Sequence, residues 1–148
     1  MNTEGGNDMI CGSSSNKELI TLGDYMQEHK RLNHQIVALQ NQITILKESA
    51  DQYDTSFFDS SLHQLECELY LRKKEIVPII LIISRAISQL VPDDAREMMY
   101  EHWFLGHRVQ EIARKHETAD GCVTRYINQS LRVSIPSEVV EQCGKILS

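Results

Sequence analysis

The chain has 148 residues, of which 41% are hydrophobic and 6% aromatic, and it carries a formal net charge of −6. That length holds one or two small domains with a core of their own, and the scarcity of β-branched alternation, glycine and proline points to an all-α fold rather than a sandwich or barrel. Cys11, Cys67, Cys122 and Cys143 form no CxxC pair, which argues against zinc modules and disulfide frameworks and fits a reducing cytoplasm.

Residues 1–16 (MNTEGGNDMICGSSSN) are polar and Gly/Ser-rich. They read as a disordered lead, without the apolar stretch of a signal peptide. Residues 17–91 have a heptad-like regularity. Leu22, Tyr25, His29, Leu32, Ile36, Leu39, Ile43, Leu46, Ala50 and Tyr53 follow 3-4 spacing, and so do Leu62, Leu65, Leu69, Arg72, Ile76, Ile79, Ile83, Ala86 and Leu90. Such seams predict two helical arms, each about 45 Å long, folded back as an antiparallel coiled-coil hairpin. The polar segment 51–61 (DQYDTSFFDSS) predicts the break between them, with Asp59 or Ser60 capping the second arm. Pro78 is expected to kink or split that arm near Ile76. The apolar run 76–83 (IVPIILII) is too short to span a bilayer, so no membrane association is expected. It is also more apolar than one seam needs, which implies a second contact, either with the rest of the chain or with another chain. A homodimer or a protein partner held through the coiled coil is therefore expected.

Residues 92–134 contain three short helical patterns. Ala95, Met98, Met99, His102 and Trp103 mark the first, closed by Gly106. Val109, Ile112, Ala113 and His116 mark the second. The third buries Val123, Ile127, Ser130 and Leu131, leaving Thr124, Arg125, Asn128, Gln129 and Arg132 on the other side. The tight break before the third pattern predicts a helix-turn-helix. An Arg/Asn/Gln face on its second helix can bond base edges in a major groove. The same pattern also suits a small helical core whose polar face meets water. Beyond it, Ile135-Pro136 ends the third helix, and residues 135–148 read as a short amphipathic helix capped by Ser137. Val139, Val140, Cys143, Ile146 and Leu147 would cover the module's core.

The run Glu111-Ile112-Ala113, with Gly106 five residues before Glu111 and Val123 ten residues after Ala113, resembles the C-terminal, region 4-like promoter-binding part of sigma-70 family factors. Trp103-Phe104 sits at the family's aromatic-apolar pair, and Val123, Ile127 and Leu131 fall on the apolar face of its recognition helix. About forty residues are covered. A helical hairpin before such a module is similar to small sigma-like regulators of phages and prophages. The resemblance implies a transcription regulator that reads a promoter element in double-stranded DNA, together with RNA polymerase. Thr124, Arg125, Asn128 and Gln129 would then contact bases, and Arg132 and Arg108 would hold phosphate. Four positions depart from the family pattern. Glu117 replaces the turn glycine, where left-handed backbone costs roughly 1 kcal/mol or more. Ala119 replaces the capping serine, with Thr118 as a substitute cap. Arg108 opens the second helix, and Asp120 stands in the recognition helix's first turn.

Charge and chemistry limit the alternatives. Residues 93–134 hold six Lys+Arg and seven Asp+Glu, a balance of −1, whereas autonomous DNA binders have a basic face. A protein-interaction module, a coiled-coil adaptor whose helix-turn-helix no longer meets DNA, is the competing reading. The sequence has no phosphate-cradling glycine loop, nucleophile elbow, HExxH motif or paired-carboxylate constellation, so no enzyme activity and no cofactor are expected. His102, His107 and His116, spaced by five and nine, match no common metal pattern, and no metal site is expected.

Overall fold

The computed structural model describes residues 18–52 and 55–147. The lead at 1–16 lies outside the described residues, as does the seam position Tyr53. The described residues are all-α, with one isolated antiparallel bridge between Thr21 and Ser134. Six α-helices follow in order: α1 Leu22–Glu48, α2 Thr55–Leu90, α3 Asp93–Met99, α4 Val109–Lys115, α5 Asp120–Leu131 and α6 Ser137–Leu147. A 3-10 turn, Ala50–Gln52, lies between α1 and α2, and α3 runs on into a π turn, Tyr100–Phe104.

Thr21 starts α1 through a capping box. Its hydroxyl accepts from the Asp24 N–H at 3.2 Å, and the Asp24 carboxylate accepts from the Thr21 N–H at 3.0 Å. The 3-4 spacing then decides the buried face, with Leu22, Tyr25, Leu32, Ile36, Leu39 and Ile43 turned inward. Those side chains meet α2 along its length, with Leu32 and Ile36 against Ile76. The C-terminal end of α1 meets the early part of α2 at Lys47 and Glu66, 3.5 Å apart, which makes the pair antiparallel. That exposed contact contributes little energy.

Four local expectations differ from the structure. The break between the arms is earlier and shorter than 51–61, because Phe58 is buried one turn before Leu62 and extends the seam backwards. Asp59 and Ser60 consequently lie inside α2, both exposed, and neither caps it. Ala50 belongs to the 3-10 turn and is exposed rather than part of a seam. Pro78 does not split the arm: α2 is one helix from Thr55 to Leu90 with the proline inside it. The bond lost at the missing Pro78 N–H is local, whereas Ile76, Ile82 and Ile83 are buried on either side of it.

The surplus apolarity of 76–83 has its contact within the chain. Ile82, Ile83, Ala86 and Ile87 share one buried cluster with Leu22 and Met26 of α1, Met98 and Met99 of α3, Ile112 of α4, Val123 and Ile127 of α5, and Cys143 of α6. The base of the helix pair and the short helices after it thus close over a common core. Two polar contacts pin the junction. The Arg96 guanidinium donates to the Ile87 and Val91 carbonyls at 3.2 and 3.1 Å, a cation placed at the C-terminus of α2. Arg85 donates to the Gln142 side chain at 3.1 Å, tying α6 to α2. Ser137 is the first residue of α6 rather than a cap outside it, and Val139 and Cys143 are buried. The side chains of Ile146 and Leu147 lie outside the described residues. No described helix is long and apolar enough to cross a membrane.

Candidate nucleic-acid interface

Helices α4 and α5 meet through the tight turn at residues 116–119, and its backbone explains the sharp change of direction. His116 ends α4, and Glu117 follows with φ +53°, in the left-handed region. The Thr118 N–H then donates to the Ala113 carbonyl at 2.9 Å, and the Glu117 N–H donates to Arg114 at 3.2 Å. This is a Schellman closure built on a glutamate where glycine would be unstrained. Gly106, at φ +71°, performs the same service after the π turn. The start of α5 differs from expectation: Ala119 is the N-cap residue, in extended backbone with φ −82° and ψ 150°, and no side chain caps the helix. Thr118 does not substitute, because the helix starts at Asp120 and leaves Thr118 one residue before the N-cap position.

Glu111 is structural. Its carboxylate accepts from the Arg108 N–H at 2.8 Å and holds the first turn of α4. The side chain that locks the π turn after α3 to the end of α4 is Glu101, which no sequence pattern singles out. Its side chain is only 3% exposed; it accepts from His116 Nε2 at 2.7 Å and from the Lys115 ammonium. Burial is the largest influence on the Glu101 carboxyl and pushes it up, but the hydrogen bonds and charges of Lys115 and His116 together outweigh it. They hold the group below the usual carboxylate value. The same contact raises the Lys115 ammonium. The sequence carries Glu101 only as one acid among several, fourteen and fifteen residues from its partners.

The far end of α5 is fixed as firmly. The Leu22 N–H donates to the Val133 carbonyl, and the Ile135 N–H donates to Ile20, both at 2.8 Å. A Cβ on Gly23 would stand 3.1 Å from the Leu131 carbonyl oxygen, so glycine permits this close approach of α1 to α5.

Between these anchors α5 presents two faces. Val123, Ile127 and Ser130 are buried, with Leu131 half-buried, whereas Thr124, Arg125, Asn128, Gln129 and Arg132 are all exposed. Those five sequence-predicted residues therefore share one surface. The Arg125 guanidinium lies 5.8 Å from the Tyr126 ring and donates to Cys122 Sγ at 3.8 Å. Asp120 and Gly121 are exposed in the helix's first turn. The sixth residue, Arg108, is exposed at the N-terminus of α4, on a different helix from the other five. Such a surface offers guanidinium and amide donors and amide acceptors for base edges, with cations beside them for phosphate. Comparison of the chain with protein-family models, with curated proteins and with solved structures gave no match.

Proposed function

We propose that the chain is a DNA-binding transcription regulator of the sigma-like kind, with α4 and α5 as a helix-turn-helix and α5 reading a promoter element alongside RNA polymerase. The observation that carries this reading is the exposed row Thr124, Arg125, Asn128, Gln129 and Arg132 on a helix anchored at both ends. Arg125 suits the paired acceptors of guanine, and Asn128 and Gln129 suit the donor and acceptor edge of adenine. Arg132 and Arg108 hold phosphate. A net charge of −6 supplies no general attraction to DNA, so the polymerase provides the rest of the affinity. Binding titrations at two salt concentrations, with and without polymerase, test this. Arg125→Ala should cost about 1–3 kcal/mol at the cognate site and relax base preference. Asp120→Asn should raise salt-sensitive affinity at every sequence by removing a repulsion. An Arg125→Ala variant with unchanged DNA binding removes the reading. The acidic balance would then favour the alternative, an interaction module acting through its helix pair.

A further inference from the structure

Three side chains from two separate segments converge on one flank of α3. Glu97 and Glu101 are four residues apart, one on α3 and one in the π turn, and His116 closes α4. One donor atom from each lies within 4.8 Å of the other two. His116 Nε2 is 3.5 Å from Glu97 Oε1 and 2.7 Å from Glu101 Oε1. Around a tetrahedral zinc ion with bonds near 2.0–2.1 Å, donor atoms stand about 3.3 Å apart. The Glu97–His116 spacing already suits such an ion. The Glu101–His116 contact must open by roughly 0.6 Å, as it does when an ion replaces a shared proton.

We infer that Glu97, Glu101 and His116 form a binding site for a first-row divalent cation of borderline character, such as Zn2+ or Co2+. One imidazole nitrogen with two carboxylates selects this class over Ca2+ and Mg2+, which prefer oxygen alone. The three residues differ in a useful way. Glu101 is held in the core, His116 is half-buried, and the Glu97 side chain is 63% exposed and gives the ion a way in. A cavity of about 390 Å³, bounded in part by Asp93, Asp94, Glu97 and His116, opens on the same flank and leaves room for a water ligand. The Lys115 ammonium holds Glu101 Oε2 and competes for the same charge. Its side chain is 60% exposed and can turn into solvent when the ion arrives. A bound ion would staple α3 to the end of α4, just before the turn that aims α5. This site stands whether or not α5 reads DNA.

The test is titration of the metal-free full-length chain with Zn2+ by calorimetry, with Co2+ by visible absorption, and with thermal melting alongside. One saturable site per chain is expected, with Co2+ showing the intense bands of a tetrahedral site and Zn2+ raising Tm. Glu97→Gln removes a ligand while leaving the Glu101 contacts in place, and should weaken binding at least about tenfold without lowering the metal-free Tm, since even outer partners of a metal ligand cost that much. Lys115→Gln removes the competitor and should not weaken binding. The inference is overturned by the absence of saturable binding in the unaltered chain. Zn2+ binding that Glu97→Gln leaves unchanged overturns it equally, because the ion then sits on other groups such as the free thiols.

Discussion

Glu101 and Glu117 are acidic residues sixteen positions apart, and the fold uses them in opposite ways. Among the described residues Glu101 is the only acidic side chain that is buried, and its charge is answered by Lys115 and His116. Glu101→Gln keeps the shape but weakens both bonds, and should destabilise by about 1–3 kcal/mol. Its pH signature follows from the direction of its shift. A carboxyl held below its ordinary 4.5 in the folded chain contributes its stability above that pH and loses it as the pH falls further. His29, half-buried near Trp103, is lowered from 6.5 by burial, so its contribution is also lost on acidification, beginning at higher pH. Urea unfolding between pH 7 and 3.5 should therefore show falling stability, and Glu101→Gln should flatten the part below about 4.5. An identical slope in the variant would show that Glu101 carries no linked proton. Glu117 is strained rather than buried. Glu117→Gly should stabilise by about 1 kcal/mol in thermal melting, because the left-handed backbone no longer opposes a Cβ. An unchanged or lower Tm would contradict the strain.

Among elements, α2 carries the most weight because it serves two partners. Its first half packs along α1, and its second half is enclosed by α1 and the short helices. Ile83, with no exposed surface, belongs to the enclosed part; Val77, 41% exposed, does not. Ile83→Ala should cost about 2–5 kcal/mol. Val77→Ala should cost well under half of that in the same denaturation measurement, and equal losses would contradict this division. Much of this was legible in the sequence. The 3-4 spacing named Leu32, Ile36, Ile76 and Ile83 correctly, and helical periodicity separated Val123 and Ile127 from Arg125 and Asn128. The helix ends were less legible. Asp59 and Ser60 have the chemistry of caps, but the apolar Phe58 before them decided where α2 begins. Thr118 has the chemistry of a cap too, yet α5 starts at Asp120 and puts Ala119 in the capping position. Glu101 was invisible for another reason: its partners come together only when α4 folds against the π turn.

At the scale of the molecule, one core joins the long helix pair to the short helices, and the bridge at Thr21 and Ser134 adds a second attachment at the far end of α5. The apolar run 76–83, which implied a second contact either with the rest of the chain or with another chain, has one within the chain. The polar face of α5 is exposed and takes no part in that core. Its function is tested most directly by selecting duplexes from a random pool with RNA polymerase, in the presence and absence of the chain. The account predicts that the chain adds a discrete sequence preference, and that Arg125→Ala with Asn128→Ala abolishes it while melting stays normal. Selection that is the same with and without the chain, or that survives both substitutions, would contradict it.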